Sequence, residues 1–459
     1  MSNSAPGGSI AITQAGEYHP YGSAPFQAAV ARAPLIIGAQ PEYVALVRPG
    51  SAEELARAVK QAREQKLGIL RLYNESNVGA RLRGDGRTLI VDLSRMNRVL
   101  EINADHGYAR VEPGVSFAGL ARHIAEQKLP LLVDSGRDSA VSVTASVFDK
   151  GFGYTPYCEH TLVQCGGEYV LPDGDRLRTG MGAMADNRTW QLYKYALGPF
   201  SDGLAVQSDL MVPTQMGIWL MGTVPAFRPF AIDLEDDAAL AAALELIRPL
   251  KITNALPGAV AITHRDFDAS RAPEARRGAK WRLYGALYGI PAVVEMTMQA
   301  IASGFGGIKA ARLFGDEQLG NDPLWREHKA LMAGQVLPQP ARVRGDEASL
   351  TFVGAIEGEA AHTLADAAGR VLSARRIPML VDFTALGRSL MLTVHLPYDR
   401  RRADSVQALE ASGRALVTEM AEAGHGLASE SVEFSRIAPS MLGNSGLATL
   451  QGKIAAAFA

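Results

Sequence analysis

Asp149-Lys150-Gly151-Phe152-Gly153-Tyr154-Thr155-Pro156-Tyr157-Cys158-Glu159-His160 is the least generic stretch of this chain. Two glycines, two tyrosines and a proline in so short a run describe a turn that must hold one shape. The segment after it, Thr161 to Leu171, alternates and reads as a strand, and Pro172-Asp173-Gly174-Asp175 closes it with a hairpin signal. Upstream, Tyr43 to Arg48 is a strand stopped by Pro49. Ser51-Ala52-Glu53-Glu54 then caps a helix reaching about Gln65, with Leu55, Val59 and Ala62 on one face. Strands are expected at Leu67–Leu72, Thr88–Leu93 and Tyr108–Val115, and a helix from Ser116 to Lys128 carries Leu120 and Ile124.

From Phe227 the rhythm changes. Phe230–Leu234 is a strand, Asp236–Leu250 an alanine-rich helix, Trp281–Tyr288 a strand and Ile290–Gly304 a helix. The same order recurs through Leu350–Ile356, Gly358–Ala374, Pro378–Phe383, Leu390–Leu396 and Ser405–Ala423. Strand then helix, twice, with extra strands, suits an antiparallel sheet with helices on one face. Residues 1–40 read as a leader with little regular structure, draped over a neighbour or another subunit.

The 459 residues exceed one simple core and suggest two domains. Hydrophobic residues make up 47% and charged residues 20%, the profile of a soluble globular protein. The formal net charge of −2, without a Lys/Arg block, argues against nucleic acid or an anionic membrane as partner. The two cysteines, Cys158 and Cys165, do not form a C-x-x-C motif, and reduced thiols are expected rather than a metal site. Met1 to Gly8 lacks the regions of a secretory signal, and the apolar run Leu210–Phe227 is broken by Pro213, Gln215 and Pro225. The expected location is cytoplasmic. That same run is read as either an interdomain core or an oligomer surface.

Two further segments, Arg178-Thr179-Gly180-Met181-Gly182-Ala183-Met184 and Gly198-Pro199-Phe200-Ser201-Asp202-Gly203-Leu204, accompany the glycine-rich turn. Together the three resemble the signature of the vanillyl-alcohol oxidase / p-cresol methylhydroxylase family, FAD-linked oxidoreductases acting on para-substituted phenols. The resemblance runs from about Pro41 to about Leu450. It implies an α+β protein: a p-cresol methylhydroxylase-type FAD-binding fold of two α/β subdomains, with the cofactor stretched between them, plus a cap domain with an antiparallel sheet and helices. The expected boundaries are a leader at 1–40, the FAD-type domain at 41–226, the cap at 227–423 and a truncated return to the FAD-type domain at 424–459.

The resemblance also implies site residues. Asn77 and Gly79 match the diphosphate loop R-G-x-N-x-G-Y-G, and Gly153, Tyr154, Thr155, Pro156, Tyr157, Glu159 and His160 stand on the signature turn at cofactor-binding positions. Asp149 matches a carboxylate beside the reactive flavin edge, Asp382 a cap carboxylate near substrate, and His395 stands at a further family carboxylate position. Two carboxylates in one cavity could do acid–base work. The plainer roles are a turn cap for Asp149, an inherited buried polar group for Asp382, a hydrogen-bonded pair for Glu159 and His160, and a core histidine for His395.

The departures are concentrated. In the loop Tyr73-Asn74-Glu75-Ser76-Asn77-Val78-Gly79-Ala80-Arg81, the first glycine has become Glu75, the tyrosine Ala80 and the last glycine Arg81. A carboxylate about 5 Å from a phosphate costs about 3 kcal/mol at an effective dielectric of 20. The family's G-N is Ala145-Ser146, the Tyr-Arg pair of the phenolate site aligns with Ala428-Ser429, and the D-P-N-x-I-L-A-P-G segment is not found. The residue some members join to FAD has no counterpart near Pro340-Ala341-Arg342. Drift that destroyed the fold would have struck core and turns too. The expectation is a non-catalytic subunit with FAD absent or weakly bound, forming a homo-oligomer or an oligomer with an active paralogue, and a cytochrome c as a further family partner. The alternatives are an active FAD-dependent oxidoreductase of CH or CH-OH groups in 4-alkylphenols or other aromatic alcohols, with a rebuilt site, and a flavin-independent enzyme or binding protein reusing the cavity.

Overall fold

The structure, a computed structural model, describes residues 10, 12–39, 41–74, 76, 79–83, 86–275, 278–338, 346–436 and 445–458. Its first layer is a five-stranded sheet of β1 (Glu17–Pro20), β2 (Glu42–Arg48), β3 (Gly68–Leu72), β4 (Arg81–Arg83) and β5 (Arg87–Asp92), in the order β1-β2-β5-β3-β4. The inner three strands are parallel, and β1 and β4 are antiparallel edges. The leader is therefore not featureless. It supplies β1 and the helix α1 (Ala24–Arg32), whose Phe26 and Ala29 are buried with Leu46, Leu70 and Ile90. Helix α2 (Ala52–Glu64) starts where Ser51 Oγ accepts the Glu54 N–H at 3.2 Å, and buries Leu55, Ala58, Val59 and Ala62 at i, i+3, i+4, i+7 spacing.

The second sheet joins β6 (Val99–Asn103) and β7 (Tyr108–Val111) to β9 (Gln164–Val170), β10 (Arg176–Arg178) and β11 (Val212–Trp219), in the order β10-β9-β11-β7-β6. A two-stranded ribbon of β8 (Leu131–Leu132) and β12 (Met221–Gly222) stands apart. Between them run α3 (Phe117–Glu126), α4 (Val143–Phe148) and α5 (His160–Val163). The strand expected from Thr161 thus begins only at Gln164, after a helical turn, and all seven of its residues are buried. Strand β9 also contacts α2, so both of its faces are covered and the polar-out alternation is lost. The apolar run Leu210–Phe227 is mainly β11, with Met211, Val212, Met216, Ile218 and Leu220 in the core shared by the two sheets. The oligomer-surface reading of that run does not hold.

The cap is one antiparallel sheet of eight strands: β13 (Ala226–Leu234), β14 (Val260–His264), β15 (Trp281–Gly289), β16 (Ala311–Phe314), β17 (Asp346–Ala355), β18 (Val381–Leu386), β19 (Ser389–Tyr398) and β20 (Gly426–Glu430). Side chains alternate across it. Phe230, Ile232 and Leu234 enter one core with α6 (Asp237–Ile252), α8 (Pro291–Gly306), α11 (Gly358–Ala374) and α12 (Ala403–Glu422). Ala231, Ala261 and Ala286 face the other way, toward Tyr154 and Cys158 of the signature turn and toward α10 (Pro323–Met332). Small side chains let the turn approach closely, and at Gly258 a Cβ would lie 2.8 Å from the Tyr154 carbonyl. Two short helices, α7 (Arg265–Arg271) and α9 (Asp316–Leu319), complete the cap.

The return expected from 424 begins later. β20 pairs with β17 at the cap sheet's edge; after it Val432 packs with the core of the first sheet, and the Ile37 N–H donates to the Glu433 carbonyl at 2.9 Å. The last helix is Ser445–Phe458. No helix among the described residues is long and apolar enough to cross a membrane.

Candidate functional site

The signature turn is organised by a residue that the sequence pattern did not single out. Asp134 is enclosed by the turn and accepts from the Tyr154 N–H at 2.9 Å, the Thr155 N–H at 3.2 Å and the Thr155 hydroxyl at 2.7 Å. Gly153 is required: a Cβ there would lie 1.6 Å from Asp134 Oδ1. The Gly153 N–H donates to the Cys158 carbonyl at 2.8 Å, and the Tyr157 N–H to Thr155 Oγ1 at 3.1 Å. The backbone donors of Gly153, Tyr154, Thr155 and Tyr157 are thus engaged within the turn and its anchor. Pro156 and Glu159 are half-buried and Tyr157 is exposed. His160 is buried, pairs Nδ1 with Ser146 Oγ at 2.8 Å, and is pushed down to about pH 4 by burial, so it is neutral. Burial pushes Asp134 up to about 6 despite its three donors.

Asp149 ends α4 and faces the loop after β3. Its Oδ2 accepts the Gly79 N–H at 2.5 Å and its Oδ1 accepts from Arg81 Nη2 at 2.5 Å. Gly79 has φ +74°, and a Cβ there would lie 2.7 Å from that of Ala145. Loop and helix are therefore in direct contact. Three more bonds fasten β3 and its loop across the same seam: Asn74 Nδ2 to the Ala140 carbonyl at 2.8 Å, and Arg71 to the Met211 and Ser208 carbonyls at 2.6 and 2.7 Å. On the cap side, Lys150 Nζ donates to the Ala428 carbonyl at 3.2 Å, and Gln207 reaches Glu430 at 3.4 Å. Burial raises the Glu430 pKa, the charge of Arg81 opposes this and that of Asp149 adds to it. Asn77, Glu75 and the segment Pro340–Arg342 lie outside the described residues.

Asp382 and His395 meet in the cap. Asp382 on β18 is opposite Thr393 of β19, and Ser349 of β17 is opposite His395, so Glu347, His395 and Asp382 fall on one face at diagonal positions. His395 Nε2 lies 2.8 Å from Asp382 and Nδ1 3.0 Å from Glu347, while its ring stacks on Phe267 at 4.5 Å. Burial pulls the His395 pKa down, but its hydrogen bonds to the two carboxylates outweigh that and raise it to about 9. The group is an imidazolium held between carboxylates, with both ring nitrogens donating. Burial likewise opposes ionisation of Asp382, and His395 and Arg137 hold its pKa low.

Arg137 ties this triad to the signature turn. Its guanidinium lies 5.8 Å from the Tyr154 ring and 5.4 Å from Phe267. It donates to Glu327 at 3.2 Å and meets His328 Nε2 at 3.1 Å. His328 Nδ1 lies 2.8 Å from the Leu324 carbonyl, so Nε2 is left as acceptor for Arg137. Its ring stacks on Tyr284 at 3.7 Å. Arg271 bonds both oxygens of Glu327, at 2.8 and 2.9 Å. The structure thus brings Asp382 and His395 together, and Asp149 together with Gly79, but gives Asp149 and Asp382 different partners. Arg137, Glu327, His328 and Arg271 carried no local motif.

Comparison with known proteins agrees with this architecture. Residues 43–180 match the family described as "FAD binding domain". The chain is 30% identical over 412 residues to the "4-cresol dehydrogenase [hydroxylating] flavoprotein subunit" of Pseudomonas putida, covering 83% of this chain and 79% of that one. Substrate-bound p-cresol methylhydroxylase superposes with a TM-score of 0.84 at 26% identity, covering 92% of this chain and 88% of the other. 4-Ethylphenol oxidase from Gulosibacter chungangensis, in its isoeugenol complex, gives 0.85 at 27% identity over 93% and 89%. With this identity over most of both chains and a fold that superposes along most of its length, the chain belongs to the p-cresol methylhydroxylase-type family of FAD-linked oxidoreductases.

Proposed function

We propose that this chain is a non-catalytic member of that family, which dispenses with FAD and acts as a subunit beside a paralogue that retains it. One observation carries the reading: Asp149 receives both the Gly79 N–H and the Arg81 guanidinium, so the loop is latched onto α4. A dinucleotide lying between the two subdomains would have to part this latch, the Asn74–Ala140 bond and the Arg71 bonds to Ser208 and Met211. The residues of this chain do not fit the cofactor along that line, and the reading therefore contains no flavin step. Removing Arg81 from the pair would also leave the half-buried Asp149 facing a diphosphate of like sign.

The cap residues support the same view. A charged His395 between Asp382 and Glu347 has no lone pair with which to accept a proton from a substrate. Arg137 is engaged by Glu327 and His328. The test is the visible spectrum of the pure protein, followed by titration with FAD read by flavin fluorescence. A colourless protein that leaves FAD fluorescence unquenched is the expected result. A flavin band at near-unit stoichiometry would overturn the reading and favour an active oxidoreductase with a rebuilt site. Co-expression with an active family member and light scattering of each species then tests the subunit role. Failure to associate would move the weight to a protein that uses the cap cluster alone.

A further inference from the structure

The segment between β10 and β11 is built inside out. Trp190 Nε1 donates to the Thr179 carbonyl at 3.0 Å, Trp219 Nε1 to the Gln191 carbonyl at 2.8 Å, and Lys194 Nζ to the Leu162 carbonyl at 3.1 Å, so polar groups fasten it to the body. Gln191 and Lys194 are buried, and neither atom of the Gln191 amide has a partner among the described residues. The apolar neighbours go the other way. Leu192, Tyr193, Tyr195, Leu197 and Phe200 face water, with Leu162 of α5 beside them at Lys194; the least open of the six is 41% exposed and Leu197 is fully so. The rings form one surface: Tyr195 meets Tyr193 at 5.6 Å and Phe200 at 5.4 Å, and the Lys194 ammonium lies 5.2 Å from the Phe200 ring. A segment whose packing ended within one chain would bury the aromatic rings and leave the lysine and the glutamine in water.

We propose that this face is where two copies of the chain pair about a twofold axis. Area points to a partner the size of a protein. With ~200 Å² to each such side chain, the six together hold roughly 600 Å² in water, more than a monomer commonly leaves open in one place. Two copies would bury roughly twice that, beyond the ~1,000 Å² that a specific interface needs. Charge selects a second copy. Asp186 and Arg188, both exposed, precede the turn in which the Thr189 carbonyl accepts the Leu192 and Tyr193 N–H groups at 3.0 and 3.1 Å. One acid and one base two residues apart complement the same surface turned through 180°, so that Asp186 of each copy faces Arg188 of the other across the axis. A strongly acidic or strongly basic partner would meet one attraction and one repulsion there. The inference goes beyond the subunit reading and does not depend on the fate of the flavin, since none of these residues contributes to the Asp149 latch.

The test is sedimentation equilibrium of the pure full chain at micromolar concentration, with neither flavin nor an active family member present. A dimer is expected. Leu197→Asp alters a side chain that is wholly in water, so the circular dichroism spectrum should stay as it is while the dimer dissociation constant rises by about tenfold or more. Asp186→Arg and Arg188→Asp should each weaken the dimer several-fold, and the two together should restore it. A monomeric wild type, a dimer indifferent to Leu197→Asp, or single charge variants that the double variant does not rescue would each overturn the proposal. So would association through this face with an active family member alone, a result that would leave the subunit reading standing.

Discussion

Arg81 is the residue at which this chain parts most sharply from what its fold implies. It is buried, and its partner Asp149 is nearly so, which makes the pair sensitive to loss of either member. Arg81→Gly puts a glycine where the diphosphate-loop resemblance implies one, yet strands a carboxylate, and we expect it to cost about 3 kcal/mol of stability in urea unfolding. Arg81→Gly combined with Asp149→Asn should recover most of that, because the neutral amide still faces the Gly79 N–H. His395 gives a pH signature. Its folded pKa of about 9 lies above the ordinary value of 6.5, so its contribution is complete below pH 6.5 and is lost as pH rises through 9. The loss is up to about 3 kcal/mol, and Asp382→Asn should flatten that alkaline limb in denaturation midpoints measured across the pH range. His160 acts in the opposite direction: its folded pKa of about 4 is depressed, so its contribution is present above 6.5 and is lost as pH falls toward 4.

At the scale of elements, the signature turn is a clasp between the FAD-type half and the cap. Its inward side packs on the alanine-lined face of the cap sheet, and its backbone donors converge on Asp134. Asp134→Ala removes one acceptor group and leaves buried donors at Tyr154 and Thr155. Each stranded donor costs about 1–3 kcal/mol, and a loss of about 3 kcal/mol or more in the thermal melt is expected. Asp134→Asn keeps an acceptor oxygen and should be milder. Gly153→Ala should be worse than either, because the added Cβ overlaps the carboxylate itself. If Asp134→Ala melted like wild type, the turn would owe its shape to its own glycines and proline alone.

For the whole molecule, the question is what fills the line between the two subdomains. In this chain side-chain and backbone contacts run along it, from Arg71 through Asn74 to Arg81. Flavin binding at a hundredfold excess over Kd would add about 2.7 kcal/mol to stability. We expect the denaturant midpoint to be the same with and without added FAD, and a clear upward shift would contradict the closed seam. The two halves should also unfold together, since the Arg137 cluster joins them directly. Arg137→Ala is expected to separate a cap transition from the rest in calorimetry.

The order of strands and helices, the hairpins and the position of the special turn were legible in the sequence, because each rests on neighbours a few residues apart. Periodicity told α2 from β2, and the run Gly151–Tyr157 declared a turn by composition alone. It could not say that the segment after that turn opens as a helical turn, or that β9 is covered on both faces, since alternation does not encode what packs on either side. The leader looked featureless because a four-residue strand has no signal of its own; β1 exists through its pairing with β2. The site was legible only in pieces. Asp149, Asp382 and His395 stood out, but their partners did not. Arg137 and Glu327 are 190 residues apart, and a charge in a sequence looks the same whether solvated or buried. Glu347 joined His395 only when the register of β17 on β19 was set. Local propensity is a property of the chain, whereas the worth of an ion pair depends on distance and desolvation, and those exist only once the sheets have packed.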